Sequence, residues 1–228
     1  MATDAAHHRP SMHQRGETTR RRILDTAIEV FGTYEYDGAS TRMLAERAGV
    51  NLPAIQYYFG SKEGLYRAAI AQIIGDIEDR MAPVAARVAA ALSDGVLERR
   101  GVLDLLHLLL ATFAELVLSG DQPEARKRLL VRAEADGSSA LEPLHASMAA
   151  NVVGPARALV GRLIGRAADD ERTALRTLAI LGQVGIFCNR GARRGLGWGE
   201  IGADRVRDIQ AIVREHTAAI FATTAAQS

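Results

Sequence analysis

The chain has 228 residues, 48% of them hydrophobic, which is enough for one large domain or two small ones with a sizeable core. Its formal net charge of +1 gives no global attraction to nucleic acid, so DNA binding would have to come from the local placement of charge. The single cysteine, Cys188, excludes an intramolecular disulfide and a cysteine-cluster metal site.

No segment of the chain predicts a membrane partner. The N-terminus lacks an apolar run resembling a signal peptide. The longest apolar stretch, residues 105–112, contains His107 and is far shorter than the roughly 20 residues that a bilayer requires. We therefore expect a soluble, cytoplasmic protein.

Residues 1–15 are polar, lack periodicity and contain Pro10, so we expect a disordered leader. Three histidines in it, His7, His8 and His13, could suggest a metal-binding tail. A solvated leader is the favoured interpretation, because no cysteine lies nearby. No metal or cofactor site is predicted anywhere in the chain.

Four helices follow in the first third of the chain. A first helix is predicted over residues 17–34, because Leu24, Ala27, Ile28 and Phe31 recur at spacings of three and four. Ser40 or Thr41 caps a second helix. The remaining signals are a turn at Gly49, Pro53 in the first turn of a third helix, and a fourth helix from Ser61 toward Pro83 or Leu92.

The rest of the chain reads as helical throughout. We predict helices over residues 103–118, 123–135, 143–166, 169–190 and 204–222, with a kink at Gly154-Pro155 and a glycine-rich loop at 191–202. No segment shows sustained period-two alternation. The predicted fold is all-α: a disordered leader (1–15), a three-helix helix-turn-helix head (16–67) and a helical-bundle body for ligand binding and dimerisation (68–228).

Residues 39–66 have the layout of a helix-turn-helix, whose second helix can enter the DNA major groove. Ala45, Ala48, Val50 and Ile55 suit a tight core, and Phe59 is expected to join it. Gln56 can pair with base edges, whereas tyrosine hydroxyls can reach phosphates. Of Tyr57 and Tyr58, at most one can point inward. Residues 1–67 carry nine basic and eight acidic residues, so binding depends on how these charges cluster.

Residues 17–68 resemble the DNA-binding head of the tetracycline-repressor (TetR) family of bacterial regulators. The resemblance is carried by Ile-Leu-x-x-Ala-x-x-x-Phe (23–31), Gly-Ala-Ser-Thr (38–41), Leu-Ala-Glu-Arg-Ala-Gly-Val (44–50) and Tyr-Tyr-Phe-x-x-Lys-Glu-x-Leu (57–65). It implies phosphate contacts by Thr41, Tyr58 and Lys62. It implies base or groove contacts by Arg42, Leu52, Pro53, Ala54, Gln56 and Tyr57.

The segments at 51–55 and 59–62 are closest to the CecR-like branch of this family, and residues 182–198 are similar to its C-terminal domain more loosely. The chain departs from the commonest pattern at Gln56, where an aromatic is frequent, and at Tyr58, which is often His. The operator sequence therefore does not follow from the resemblance. The resemblance implies a homodimer with a ligand pocket in each body, and it favours a repressor over an activator.

The body shows two candidate dimer stripes, which could instead face the subunit's own core. One stripe comprises Ala174, Leu178, Leu181, Gly182, Gly185 and Ile186, and the other comprises Ile209, Ile212, Val213, His216 and Ile220. A small, largely apolar effector of unknown identity is expected to bind around residues 103–148, move the fourth helix and spread the heads. The candidate pocket residues are His107, Phe113, Met148, Phe187 and Cys188, although His107 on an apolar helix is more often a satisfied core group.

Two other functions compete with a DNA-binding regulator. An enzyme is disfavoured, because the body has no glycine-rich phosphate loop, no Gly-x-Ser-x-Gly and no histidine pair at metal spacing. A helical protein-interaction module, which would bind a partner through residues 191–199, is the alternative. It predicts that alanine is tolerated at Tyr57 and Lys62, whereas a regulator predicts the opposite.

Overall fold

The computed structural model describes residues 12–95, 97–119 and 124–225, and within these ranges all regular structure is helical. The α-helices are α1 (Met12–Thr33), α2 (Thr41–Ala48), α3 (Leu52–Phe59), α4 (Lys62–Ser93), α5 (Arg99–Leu118), α6 (Glu124–Ala135), α7 (Glu142–Met148), α8 (Gly154–Ile164), α9 (Glu171–Gly185), α10 (Arg190–Gly195) and α11 (Ala203–Ala225). Short 3-10 helices cover Ser139–Leu141 and Ile186–Cys188. The all-α prediction is confirmed.

Several predicted boundaries change. The first helix begins at Met12, so residues 12–15, expected to be disordered, are helical, and the rest of the leader lies outside the described residues. The helix predicted to reach residue 190 ends at Gly185 and passes into a 3-10 turn. The predicted glycine-rich loop contains the short helix α10, which Asn189 caps by accepting a hydrogen bond from the Ala192 N–H at 3.0 Å.

The predicted kink at Gly154-Pro155 takes the form of a π-helix over Ala149–Val153. Proline has no N–H to donate, and its ring would collide with the carbonyl four residues earlier, here that of Asn151. The helix instead takes one extra residue into this turn, so that the Gly154 N–H donates to the carbonyl of Ala149, five residues earlier. In contrast, α4 continues through Pro83 to Ser93.

The chain divides into two compact units. The head unit comprises residues up to Ile73 together with Glu124–Leu141, and the body unit comprises Ile74–Pro123 and Glu142–Ser228. The predicted apolar face of α1 is buried in the head core, as Leu24, Ala27, Ile28 and Phe31 are each at most 4% exposed. Leu44, Ala45, Ala48 and Ile55 complete the core of the helix-turn-helix.

Helix α6 packs along α1 within the head unit, a contact that the sequence did not predict. Its buried residues are small or aliphatic and fall at spacings of four: Ala125, Leu129 and Ala133. At the end of α1, a side chain on Gly32 would collide with the backbone of Ala125. The two helices therefore approach as closely as glycine allows. Arg132 also donates to the Phe31 carbonyl at 3.4 Å.

The body unit is built around α5, which packs against α8, α9 and α11. Leu106 and Leu109 of α5 are fully buried in a core with Leu159, Val160 and Val184. Helix α5 is long and apolar enough to cross a membrane, although half of its apolar window is buried inside the protein. A core helix of a helical bundle has the same length and composition.

Candidate nucleic-acid interface

The helix-turn-helix is shaped by caps that the sequence encodes locally. Ser40, and not Thr41, is the N-cap of α2, since its Oγ accepts from the Met43 N–H at 3.1 Å. Gly49 ends α2 with φ of 61°, in the left-handed region that glycine favours. Asn51 caps α3 by accepting from the Ala54 N–H at 3.1 Å, and Pro53 occupies the first turn of α3. The two short helices therefore have defined ends and a tight connection.

Helix α3 presents one buried and one exposed face. Ile55 is 2% exposed and anchors the helix in the head core, whereas Tyr57 is 83% exposed. Gln56 lies on the exposed face with Leu52 and Pro53, and Ala54 is half-buried. Large aromatic side chains are usually at least partly buried, so the exposure of Tyr57 is unusual. Together with the exposed Gln56, it forms a surface available for contact with a partner.

Of the two adjacent tyrosines, Tyr58 is the half-buried one. Its ring packs edge-on against Tyr57, with centroids 5.0 Å apart, and its hydroxyl lies against Gly16 of α1. The sequence placed Phe59 and Val50 in the core, but both are only half-buried. The guanidinium of Arg20 lies over the Phe59 ring, 5.5 Å from its centroid.

The first turn of α2 carries a hydroxyl and a cation. Thr41 is half-buried at the helix N-terminus, where backbone N–H groups and the helix dipole favour an anion. Arg42 is exposed and its Nε donates to Glu46 at 2.9 Å. An ion pair this exposed is worth little in water, so Arg42 can exchange Glu46 for a DNA oxygen at small cost.

Lys62 is the first residue of α4, behind the N-cap Ser61, whose Oγ accepts from the Gly64 N–H at 3.0 Å. The Lys62 ammonium lies 4.2 Å from the centroid of the Tyr36 ring, in the loop between α1 and α2. Burial, with Glu63 and Asp37 nearby, raises the pKa of Tyr36. Tyr36 is thus a neutral ring at physiological pH, and sequence reasoning did not single it out.

Two further cations support the scaffold. Arg22 of α1 donates to the Gly49 carbonyl at 3.4 Å and so satisfies an acceptor at the end of α2. Arg47 donates to the Tyr34 hydroxyl at 2.8 Å, and its guanidinium lies 5.1 Å from the centroid of that ring. Neither contact was predicted, because each joins residues distant in sequence. Both arginines therefore take part in holding the head together.

The predicted ligand residues do not converge on one cavity of the body unit. An open depression of about 360 Å³ is lined by Arg80, Ala111, Thr112, Glu115, Leu116 and Gln210. His107 borders only an adjoining space of about 10 Å³. Phe113, Met148 and Phe187 pack against the body core, and Phe187 stacks on Trp198 with centroids 6.3 Å apart. Cys188 is exposed.

His107 is buried and hydrogen-bonded through Nε2, whereas its buried Nδ1 has no partner in hydrogen-bonding geometry among the described residues. Its Nε2 lies 2.9 Å from the Thr217 hydroxyl, which itself donates to the Val213 carbonyl at 2.7 Å. The Thr217 oxygen therefore accepts, and Nε2 carries the proton. Burial, with Arg214 nearby, lowers the pKa of His107. Within the described residues, no three His, Cys, Asp or Glu side chains are grouped to hold a metal.

Comparison with known proteins matches both units to regulators of transcription. Residues 23–69 match the family described as bacterial regulatory proteins, tetR family, and residues 103–223 match the C-terminal domain of the HTH-type transcriptional dual regulator CecR. The dual regulator CecR of Shigella flexneri is 29% identical over 182 residues, which cover 78% of this chain and 79% of that protein.

Solved structures show the same fold. A TetR-like transcriptional regulator from a Rhodococcus species superposes with a TM-score of 0.57 at 20% identity, covering 92% of this chain and 99% of that one. A TetR-family regulator from Mesorhizobium loti gives a TM-score of 0.56 at 17% identity, covering 93% and 97%. The matched families are DNA-binding transcriptional regulators and not enzymes, as the sequence predicted. The chain belongs to the TetR family of bacterial regulators, with a C-terminal domain of the CecR type.

Proposed function

We propose that the protein is a ligand-responsive repressor that binds a palindromic operator as a homodimer, with α3 in the major groove. This proposal rests on the two faces of α3: Ile55 is buried, whereas Tyr57 and Gln56 are exposed on a well-capped helix and available to DNA. One short helix contacts few base pairs. Two-fold symmetry would supply a second copy about 34 Å away, one DNA turn along the same face.

The proposed contacts fall into two classes. Thr41, Tyr58 and Lys62 bind phosphate, and Arg42, Leu52, Pro53, Ala54, Gln56 and Tyr57 contact bases or line the groove. The exposure of Arg42, Gln56 and Tyr57 supports their part in this assignment. Since phosphate contacts position a protein and base contacts specify sequence, Gln56 is the residue expected to discriminate between base pairs.

The proposed dimer surface is the apolar face that α9 leaves uncovered in one chain. Leu175 and Leu178 are 62% and 59% exposed, and Ile186 continues the same stripe. Gly182 and Gly185 lie in this stripe with open space where a side chain would stand, which permits a close approach of helices. Leu181 of the predicted stripe is instead buried in the chain's own core.

Helix α11 contributes a second, narrower part of the proposed surface. Ile212 and Ile220 are 46% and 37% exposed, and His216 is exposed between them. Ile209 and Val213 of the predicted stripe face the chain's own core. The two predicted stripes therefore each divide into a core-facing and an exposed part, and the exposed parts are the proposed interface.

A small, largely apolar effector is proposed to bind in the body unit and weaken operator binding. The open depression beside Gln210 is the candidate place for such a ligand. The ligand residues His107, Phe113, Met148, Phe187 and Cys188 remain a proposal, as do repression and a cytoplasmic location. Steric occlusion of a promoter requires no surface for polymerase, which favours repression over activation.

Selection from a pool of random DNA duplexes tests this function. The purified protein should enrich a two-fold symmetric motif, and Gln56→Ala should relax preference at one base pair in each half-site without abolishing binding. Glu29→Ala on the exposed face of α1 is the matched control and should leave the motif unchanged. An asymmetric motif, or none, would contradict the dimeric reader and favour the protein-interaction alternative.

A further inference from the structure

Lys62 occupies a position that is unfavourable for a cation by itself. It is the first residue of α4, where the helix dipole places partial positive charge. The chain contains only one other lysine, and the remaining basic residues are arginines or histidines. Lys62 is nevertheless half-buried, with its ammonium 4.2 Å from the centroid of the Tyr36 ring. The ring offers a negative face that offsets the repulsion from the helix.

The Tyr36 ring is itself held from two sides. It stacks on Phe31 of α1 with centroids 6.0 Å apart and meets Tyr66 of α4 edge-on at 5.0 Å. Phe31 and Tyr66 are in contact with each other at 5.1 Å, and both are buried. The Ala39 N–H donates to the Tyr36 carbonyl at 3.3 Å, so the loop backbone is held as well. Tyr36 is a fixed platform.

A ring held in place lowers the conformational entropy that the Lys62 side chain loses on DNA binding. A free lysine side chain loses rotamer entropy when it is immobilised, and part of this loss occurs on folding when the side chain already rests on a ring. The ring contacts one side of the ammonium, which has three protons to donate. The remaining protons are available to a phosphate oxygen.

We infer that Tyr36 is a positioning residue for DNA binding, which holds the Lys62 ammonium ready for a backbone phosphate. The inference rests on the phosphate contact of Lys62 in the proposed function. Replacing the ring removes the cation–π contact and so restores the freedom of the lysine, which the phosphate contact must then restrict in each head. Tyr36→Leu should therefore weaken DNA binding roughly three- to tenfold for each head, whereas Tyr36→Phe, which keeps the ring, should bind like the wild type.

A double-mutant cycle tests the inference on full-length protein. Tyr36→Leu, Lys62→Ala and the double variant are titrated over a salt series against the selected duplex and against a mixed-sequence duplex. Lys62→Ala should flatten the salt slope by about 1.8, because each of the two heads loses one phosphate contact worth about 0.9. Tyr36→Leu should weaken binding with the slope unchanged, and it should have no further effect once Lys62 is alanine.

The matched control is Tyr34→Leu, which removes the neighbouring loop tyrosine that contacts Arg47 and not Lys62. Its effect on binding should persist undiminished in the Lys62→Ala background. Additive losses for Tyr36→Leu and Lys62→Ala, or tighter binding by Tyr36→Leu, would overturn the inference. If the wild type binds neither duplex, the proposed function fails instead, so the two failures are distinguishable.

A measurement on the free protein covers the case in which Tyr36→Leu does not fold. The ε-methylene protons of Lys62 should show an upfield ring-current shift in the wild type and in Tyr36→Phe. Circular dichroism confirms that each variant is folded at the assay temperature. Absence of the shift in the wild type, or weakened DNA binding by folded Tyr36→Phe, would refute the positioning role of the ring.

Discussion

The contact between α1 and α6 makes a sharp prediction at Gly32. Alanine is usually the better helix residue by about 1 kcal/mol, so Gly→Ala in a helix normally stabilises a protein. At Gly32 the new methyl group would lie 2.7 Å from Cα and 2.8 Å from the carbonyl carbon of Ala125, with the carbonyl oxygen closer still. These are backbone atoms, so no side chain can turn aside.

The change in the free energy of unfolding for Gly32→Ala is the balance of two effects, overpacking against α6 and the higher helix propensity of alanine. Relieving the collision requires α6 to move by roughly 1 Å, since carbon atoms rest about 3.5–4.0 Å apart, and overpacking of this kind costs about 1–3 kcal/mol. The gain in helix propensity is smaller near the end of α1 than in its middle, because terminal residues fray. We expect Gly32→Ala to destabilise the protein by about 1–2 kcal/mol, and the melting temperature to fall by roughly 2–8 °C.

Gly75→Ala is the matched control. Gly75 lies inside α4, and nothing stands within 4 Å of the position where its methyl group would be built. This variant should gain about 0.5–1 kcal/mol and melt about 1–4 °C higher. Thermal unfolding of both variants, followed by far-ultraviolet circular dichroism, compares the signs of the two stability changes directly. Equal stabilisation by the two substitutions would show that α6 does not rest on Gly32.

Three further predictions concern a cap, the dimer and a buried histidine. Asn51→Ala removes the side-chain acceptor from the Ala54 N–H and should cost about 0.5–2 kcal/mol by urea unfolding, and an unchanged midpoint would contradict the capping role. Leu178→Glu places charge in the exposed stripe of α9 and should yield monomers by light scattering, whereas an intact dimer would exclude this face. Burial lowers the pKa of His107 in the folded protein below the unfolded value of 6.5. As the pH falls below 6.5, the unfolded chain therefore takes up a proton before the folded protein does, and the contribution of His107 to stability, complete above that pH, is lost. His107→Gln, which keeps a donor for Thr217, should therefore flatten the decline of stability below about pH 6.5, and an unaltered pH profile would assign that decline to other groups.

The candidate site was predictable to the extent that its determinants are local. Ser40, Gly49 and Asn51 act on backbone groups within five residues of themselves, so capping and turn chemistry could be inferred from order along the chain. The burial of Ile55 and the exposure of Gln56 follow from helical periodicity. Phe59 was misplaced because an aromatic ring can be covered by a cation as well as by a core, and Arg20 lies 39 positions earlier.

The sequence by itself determined the all-α class, the helix-turn-helix with the exposed face of α3, and the irregular backbone before Pro155. Only the tertiary structure decided that α6 packs on α1, that Tyr36 lies beneath Lys62 and that the exposed stripe of α9 excludes Leu181. Helix ends, turns and periodic faces depend on neighbouring residues along the chain. Contacts between distant segments depend on which apolar faces bury each other, and many pairings are compatible with the same local pattern.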